Sequence, residues 1–476
     1  MKLFAELKRH CGSILSALVV SLALSMPALA QADSEGEETG AEESASDPQD
    51  VSTKTPDGNK NALASIVVDL ETGKVLSQAN ATERRYPAST TKLMTAYLAM
   101  KAVKVGSMGW DTPVVMTRQA AGEAPSKLGI PPGSIMRLDH AVRAILVKSA
   151  NDVATAIGQT LGNGSNETFV AMMNRTAGLI GMRDTRFINA HGLPGPGQHS
   201  SAKDLAILGT TIRKEFPEYK DWFGTEAIVF NGRLMQNGNK LLGRFEGAEG
   251  MKTGYICAGG FNLVSAATRG ERTLVAVVLG ANGTIERETL TAELLDAGFK
   301  ADPKADPKAD PKADYETVRD LEIVGDEAKT LDVSGYICSG EGRTARANDR
   351  VEDRRDKSVV YGSSLLKEMG RAPRSVKVTL GGAAAGKNFP ADIALIENYG
   401  IPLPSPRPVQ PQDAQNLLAA AVLRESVDEP GNEVEAGDRA EPGETGEAVE
   451  TAVAASPARS DGTPAPDKPV PTAAPR

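Results

Sequence analysis

The sequence of 476 residues is poor in the side chains that bind metals or stack on nucleic-acid bases. It contains four histidines and three cysteines, and aromatic residues make up 4% of the chain. His140, His191 and His199 are too scattered to form a metal-ligand cluster, which argues against a zinc hydrolase. The net charge is −9, and no basic patch with interleaved aromatic residues is visible. A nucleic-acid partner is therefore not expected.

The N-terminus contains an apolar run, Cys11 to Met26, that is too short to span a bilayer comfortably. The small residues of Ala28-Leu29-Ala30 follow it, which is typical of a signal-peptide cleavage site. Cations precede the run, namely Lys2, Lys8 and Arg9. We predict a signal peptide that is cleaved before Gln31, and therefore a secreted protein. An uncleaved anchor is the alternative.

Cleavage there would leave Cys257 and Cys338 as the cysteines of the mature chain. An oxidising compartment permits a disulfide between them. The sequence does not show whether their Cα atoms come close enough to be bridged, so the pairing stays open at this point.

The composition changes several times along the chain. Repeated Lys-Ala-Asp-Pro units favour an extended spacer, because a proline at every fourth position prevents a helix. The acidic stretches before and after the main domain lack the apolar side chains that a core needs. We predict these segments: a signal peptide (1–30), an acidic disordered linker (31–60), a main domain (61–300), the repeat spacer (301–314), a small uncertain C-terminal domain (315–400) and a disordered, acidic, proline-rich tail (401–476).

The residues after 314 carry weaker structural signals. Leu321–Val324 and Val376–Leu380 alternate like strands, and Ser363–Met369 has the pattern of a short helix. In the tail, residues 413–427 have an amphipathic pattern with a single cation, Arg424. The sequence therefore gives little support for binding to a membrane surface.

The main domain begins and ends with strand patterns and is helical in between. A hairpin is predicted around Glu71-Thr72-Gly73. Later strands are predicted at Met251–Tyr255, Phe261–Ala266 and Arg272–Gly280, and helices at Leu138–Ser149, Val153–Gly158, Phe169–Ile180 and Arg287–Phe299. This order predicts one α+β domain with an antiparallel sheet and a helical part.

One stretch of this domain, Tyr86–Met100, reads as a mostly buried helix that starts at a serine. Ser89 and Lys92 are spaced so that a helix places them on one face. A serine hydroxyl is a poor nucleophile unless a base takes its proton. A lysine, whose pKa is normally ~10.4, can be that base only if burial or a second cation lowers its pKa. If the pair stood alone, a capping serine beside a snorkelling lysine would be the better explanation.

A second motif, Ser149-Ala150-Asn151, lies where one predicted helix ends and the next begins. The Ser149 hydroxyl could relay a proton between Lys92 and a leaving amine. Asn151 could orient Lys92 and accept a hydrogen bond from a substrate amide.

The third motif is Lys252-Thr253-Gly254, on a predicted strand. Lys252 could attract a substrate carboxylate, and its charge would lower the pKa of Lys92. Gly254 would let the substrate backbone come close. The N–H of Tyr255 could pair with that of Ser89 to bind a developing oxyanion.

The three motifs in this order are the known signature of serine β-lactamases and penicillin-binding proteins. Residues 61–300 resemble the serine D-alanyl-D-alanine carboxypeptidases, the low-molecular-mass penicillin-binding proteins. The segments that carry the resemblance are Tyr86–Ala96, Ser149–Asp152, His191–Leu193, Ser200–Ala206, Gly250–Gly254 and Gly260–Val264. The resemblance implies a β-lactamase/transpeptidase-like domain. It also places Arg287 where the family has an arginine that holds the substrate carboxylate, and it favours a structural role for His191.

The resemblance further implies a reaction. Ser89 would attack the peptide bond between the last two D-alanines of a peptidoglycan stem, and the acyl-enzyme would then be hydrolysed. Penicillin would acylate the same serine. No metal or organic cofactor is needed. The expected partners are stem peptides and β-lactam inhibitors, and the expected location is the periplasm or the cell wall.

Other functions are also consistent with the sequence. A D,D-endopeptidase acting on cross-links would share all three motifs. A class A β-lactamase would need an added glutamate, usually in a Glu-x-x-Leu-Asn setting, and the span from Asn151 to Lys252 has none. A penicillin-binding scaffold without activity is an alternative of another class. Membrane association stays open, because the spacer and tail stand where many relatives have a β-rich domain and a membrane-binding helix.

Overall fold

A computed structural model describes residues 63–301, 315–323 and 329–383. The predicted signal peptide, linker, repeat spacer and tail lie outside these residues, apart from Ala301. The strands are β1 (Ala64–Asp69), β2 (Val75–Ala79), β3 (Pro113–Val115), β4 (Ile135–Arg137), β5 (Ala227–Phe230), β6 (Arg233–Gln236), β7 (Ala248–Ile256), β8 (Gly260–Arg269), β9 (Arg272–Ala281) and β10 (Ser375–Lys377).

The longer helices predicted in the main domain agree with the observed ones to within a few residues at their ends, whereas the helix at Gly340–Arg355 was not predicted. They are α1 (Lys92–Lys104), α2 (Arg118–Ala121), α3 (Leu138–Val147), α4 (Asn151–Leu161), α5 (Asn166–Ile180), α6 (Ala202–Glu215), α7 (Lys220–Phe223), α8 (Thr284–Lys300), α9 (Ser334–Ile337) and α10 (Gly340–Arg355). Single 3-10 turns cover Ala88–Thr91 and Pro217–Tyr219. None of the helices within the described ranges is both long and apolar enough to cross a bilayer.

The main sheet has five strands in the order β2-β1-β9-β8-β7, and each neighbouring pair is antiparallel. The antiparallel sheet predicted from the first and last segments of the domain is therefore confirmed. Every residue of β1 is buried, because β1 lies inside the sheet and both faces are covered. Strand β7 is at the end of this order, so one of its edges is not paired within the main sheet.

Two helices cover the opposite faces of the sheet. Val264 and Val275 pack against α6 at Gly209, whereas Val67 and Leu274 pack against α8 at Gly298. Side chains of successive strand residues point to opposite faces, so Leu274 and Val275 face different helices. Helices α1 and α5 contact α6, and α3 and α4 contact α1, so these helices lie on the α6 side of the sheet and form the predicted helical part.

The described residues after 314 pack along the outside of this domain. Val75 N–H donates to Glu316 O over 2.8 Å, and Val318 N–H donates to Gly73 O over 2.9 Å. Strand β10 pairs in parallel with β5. Each of these contacts joins the segment to the main domain; the boundaries of a separate domain at 315–400 stay a prediction.

Two local predictions in this region are wrong. Residues 321–323 form no strand, and residues 363–369 form no helix. Leu366 is instead buried in the hydrophobic core between the sheet and α8. The backbone N–H of Lys367 donates to Arg244 O over 3.1 Å. The backbone of this segment therefore forms tertiary contacts instead of the hydrogen bonds of a helix. The predicted strand at 376–380 is confirmed only as the short β10.

The structure pairs Cys257 with Cys338 in a disulfide, with their Cα atoms 5.6 Å apart. Cys257 follows β7 directly, and Cys338 follows α9. The bond therefore ties the C-terminal segment to the hairpin between β7 and β8.

Candidate active site

Ser89 lies in the 3-10 turn Ala88–Thr91, and α1 begins only at Lys92. The prediction that the helix starts at the serine is therefore wrong by one turn. Ser89 and Lys92 still share a face, because side chains at i and i+3 line up in a 3-10 turn. Ala88 has a positive φ of 48°, which is uncommon for a residue other than glycine and turns the chain sharply just before the serine.

Asn262 on β8 holds the segment that leads into this turn. Its side-chain N–H donates to Tyr86 O over 2.9 Å, and its side-chain oxygen accepts from Gly280 N–H over 2.9 Å. The side chain is fully buried. No role of Asn262 was predicted from the sequence. This role could have been predicted, since an asparagine within an apolar strand is expected to be buried and must then find hydrogen-bond partners.

Lys92 is fully buried, and its Nζ contacts three oxygens. It lies 2.9 Å from Ser89 Oγ, 2.7 Å from Asn151 Oδ1 and 2.7 Å from His191 O. Burial is the main cause that holds the pKa of Lys92 well below its usual value, and the charge of Lys252 lowers it further.

The three contacts define what a neutral Lys92 would do. An uncharged amine has two N–H donors and one lone pair, whereas Asn151 Oδ1 and the His191 carbonyl can only accept. With both donors used in this way, the lone pair is left for the Ser89 hydroxyl. The arrangement therefore suits removal of the Ser89 proton by Lys92.

Ser149 and Asn151 lie at the junction of α3 and α4, as predicted. Ser149 adopts a positive φ of 61° in this short connection and is half-buried. The Asn151 side-chain N–H donates to Ala124 O over 2.8 Å, while its backbone N–H donates to Ser126 O over 2.7 Å. These two hydrogen bonds to the loop between α2 and β4 therefore fix Asn151 with its side-chain oxygen toward Lys92.

Lys252 is buried on β7, and burial lowers its pKa to about 7. The nearby charge of Arg287 adds to this effect. The Lys252 ammonium donates to Thr253 O over 2.8 Å. In its charged form, Lys252 is within electrostatic range of both Lys92 and Arg287.

Arg287 lies near the start of α8 with its side chain buried. Its Nη2 donates to Gly238 O over 3.0 Å and pairs with the adjacent carboxylate of Glu288. The prediction of Arg287 as a substrate ligand is not tested by these contacts. The Arg287 side chain is already paired with an acid, and its charge is close enough to lower the pKa of Lys252.

Gly254 packs directly against the serine turn. A Cβ at this position would lie 3.0 Å from Pro87 O and 3.1 Å from Ser89 N. A side chain here would press on the backbone of the serine turn, so close packing against the protein favours glycine in addition to the predicted approach of a substrate. The contact also brings the backbone N–H of Ser89 next to β7, one residue before Tyr255. The Tyr255 side chain itself is exposed.

Glu123 and His191 form a further pair that was not predicted from the sequence. The His191 Nδ1 accepts from Leu193 N–H over 3.1 Å, so its Nε2 carries the proton and donates to a Glu123 oxygen 3.3 Å away. Burial lowers the pKa of His191, which favours the neutral ring. The charge of Glu123 acts in the opposite direction to that of Lys252, since it raises the pKa of Lys92.

A family model described as D-alanyl-D-alanine carboxypeptidase matches residues 49–283 of this chain. The D-alanyl-D-alanine carboxypeptidase DacB2 of Mycobacterium tuberculosis is 31% identical over 263 residues, which cover 53% of this chain and 86% of that protein. This chain belongs to the D-alanyl-D-alanine carboxypeptidase family. The family resemblance predicted from the motifs is therefore confirmed, and with it the β-lactamase/transpeptidase-like fold of the domain.

Other members of the D-alanyl-D-alanine carboxypeptidase family are similar over the same half of the chain. DacD of Salmonella typhimurium is 36% identical over 245 residues, which cover 50% of this chain and 63% of that protein. This chain thus spans less than two thirds of that relative. The ampicillin-bound structure of penicillin-binding protein D2 from Listeria monocytogenes is 30% identical, with a TM-score of 0.46, and the match covers 50% of this chain and 96% of that one. Arg287 and the C-terminal segment lie beyond the residues that the family model matches.

Proposed function

We propose that this protein is a serine D-Ala-D-Ala carboxypeptidase that removes the terminal D-alanine from peptidoglycan stem pentapeptides. The observation that carries the proposal is the surroundings of Lys92. A buried lysine with a strongly lowered pKa lies 2.9 Å from a serine hydroxyl and is held by two fixed acceptors. This is the arrangement that a serine nucleophile with a lysine base requires.

In the first step, Lys92 takes the proton of Ser89 as Oγ attacks the carbonyl of the penultimate D-alanine. The N–H groups of Ser89 and Tyr255 stabilise the oxyanion; packing of Gly254, the residue before Tyr255, against the serine turn supports this pairing. The C–N bond then breaks, and the leaving amine of D-alanine receives the proton through Ser149. Water hydrolyses the acyl-enzyme and restores Ser89, with Lys92 again acting as the base. No cofactor takes part.

The substrate carboxylate is bound by Lys252 and Thr253, with Arg287 supplying further positive charge. The pKa of Lys252 is about 7 without substrate, so Lys252 is only partly protonated at neutral pH. A bound carboxylate raises that pKa and recruits the charged form. Asn151 orients Lys92 and accepts from the substrate amide. β-lactams, which present a carboxylate beside a strained amide, would acylate Ser89 by the same route.

The proposal extends to the location of the protein. A substrate in the cell wall fits the predicted signal peptide at residues 1–30 and a periplasmic or wall-associated protein. In this proposal the catalytic domain is residues 61–300, and the predicted linker, spacer and tail are solvated segments. The proposal includes no nucleic-acid partner and does not depend on membrane association.

Mass spectrometry of two substrates tests the proposal. A stem pentapeptide and a cross-linked muropeptide are each incubated with the wild-type protein, with Ser89→Ala and with the matched surface variant Ser107→Ala. We expect the wild type and S107A to remove one D-alanine from the pentapeptide and to leave the cross-link intact. S89A should lose both turnover and labelling by a fluorescent penicillin.

Each other result points to a different conclusion. Cleavage of the cross-link would favour the D,D-endopeptidase. Penicillin labelling of Ser89 without either product would favour a scaffold. Turnover retained in a folded S89A protein would refute the assignment of the nucleophile.

A further inference from the structure

The C-terminal segment crosses the domain beside the candidate active site. We define the strap as residues 331–339, which include α9 and Cys338. Leu331 N–H donates to Arg84 O over 3.2 Å, just before the serine turn. Val333 N–H donates to Ala258 O over 3.1 Å, at the tip of the hairpin that follows Lys252-Thr253-Gly254. The strap therefore touches both chain segments that frame Ser89.

Covalent and apolar contacts fix the strap in this position. The disulfide joins Cys338 to Cys257 on the hairpin. Val333 and Ile337 are buried together against Phe261 of β8. Arg346 of α10 donates to Ile337 O over 2.8 Å and to Asn282 O over 3.2 Å, which ties the end of the strap to the connection between β9 and α8.

Tyr255 connects the strap to the site. Its ring packs on Phe261 with centroids 4.4 Å apart, and its hydroxyl lies 3.4 Å from Cys338 Sγ. Even so, Tyr255 as a residue remains 45% exposed. Side chains alternate along a strand, so Tyr255 projects from the same face of β7 as Thr253.

The proposed reaction fixes the direction of the substrate. Its C-terminal carboxylate lies at Lys252 and Thr253, and its scissile carbonyl lies at the N–H of Tyr255. The residues that precede the two D-alanines must therefore continue toward Ile256 and the tip of the hairpin. A peptide advances ~3.3 Å for each extended residue, so the first of these residues reaches the Tyr255 ring and the next reaches the disulfide.

We propose that Tyr255, the Cys257–Cys338 disulfide and the strap form a subsite for the acyl side of the stem peptide, the residues that precede D-Ala-D-Ala. This inference rests on the proposed function, because it uses the orientation of the substrate in that reaction. Cys338 and the rest of the strap lie outside the residues that the family model matches, 49–283. The subsite would therefore be a feature of this chain's own C-terminal segment.

The test compares two substrates of different length. One is an N-acetylated D-Ala-D-Ala dipeptide, which ends before the subsite, and the other is the full stem pentapeptide. The variants are Tyr255→Ala, which keeps the backbone N–H and the disulfide, and the double variant Cys257→Ser/Cys338→Ser. Leu179→Ala, at a similarly exposed apolar residue on α5, is the control. The measured quantity is the ratio of kcat/KM for the pentapeptide to kcat/KM for the dipeptide.

We expect this ratio to fall by about tenfold in Y255A and in the double variant, and to keep its wild-type value in L179A. Tenfold is roughly the effect of losing one well-packed contact with part of a substrate. An equal loss on both substrates would overturn the inference, because the strap would then only position β7. An unchanged ratio in both folded variants would overturn it as well. A wild-type protein that turns over neither substrate would overturn the proposed function and, with it, this subsite.

Discussion

Replacing Gly192 with alanine should slow acylation of Ser89 by displacing the turn that carries it. An alanine Cβ at this position would lie 1.8 Å from Ala88 O and 2.8 Å from Thr91 Oγ1. Cβ atoms in proteins stay at least 3.0 Å from such atoms, so the Ala88 carbonyl must move by about 1.2 Å. Ser89 is the next residue, and a displacement of ~1 Å at a reacting group costs roughly 10²-fold in rate.

A second glycine in the same loop separates this clash from backbone strain. Gly192 has φ +87° and Gly197 has φ +84°, so alanine is strained at either position by ~1–2 kcal/mol. At Gly197, however, the nearest atom to an added Cβ is Arg186 Nε at 3.5 Å, which is an ordinary contact. Gly197→Ala should therefore lose stability while its acylation rate remains close to that of the wild type.

The assay is the second-order rate constant for labelling by a fluorescent penicillin, measured beside the thermal midpoint of each variant. We expect a loss of about 100-fold in G192A and less than a few-fold in G197A. A folded G192A protein that is labelled at the wild-type rate would refute the reasoning. An equal loss in both variants would assign the effect to strain in the loop rather than to the clash with Ala88.

The remaining predictions concern charged groups. Glu123→Gln removes a charge that raises the pKa of Lys92, so the acidic limb of the pH profile for acylation should move to lower pH. The control is Glu167→Gln, at an exposed residue. An acidic limb that moves to higher pH would contradict the assignment of Lys92 as the base. Glu226 has its pKa lowered to about 2, mainly by hydrogen bonds from Arg371. Its stabilisation is present above the ordinary carboxyl pKa and is lost as the pH falls toward 2. Glu226→Gln should therefore lower the free energy of unfolding by about 1–2 kcal/mol at pH 7, allowing for solvent around the arginine, with a smaller difference at pH 3; equal differences at both values in denaturant melts would argue against this ion pair.

The parts of the site that could be predicted depend on contacts close in sequence or on repeating patterns. Ser89 and Lys92 share a face in either kind of helical turn, so the error in the start of α1 did not separate them. The alternating patterns of β7, β8 and β9 were sufficient to predict adjacent strands, because their connections are short.

The parts that could not be predicted are contacts between residues distant in sequence. No local pattern indicates that Glu123 meets His191, or that Leu331 reaches Arg84. The disulfide could be proposed from the compartment but not from distance, which only the fold supplies. Residues 363–369 show the opposite case. Their local pattern predicts a helix, but burial of Leu366 in the core favours an irregular backbone.

The order of the strands also has a consequence for how the chain acquires its structure. In the register of the sheet, Ala64 at the start of the domain pairs with Leu279 near its end. Strand β1 therefore keeps an open edge until almost the whole domain has been synthesised. Pairing of segments so far apart in sequence raises the contact order and slows folding. If the predicted signal peptide directs the chain across a membrane in an unfolded state, late closure of the sheet would leave time for export before the domain becomes rigid.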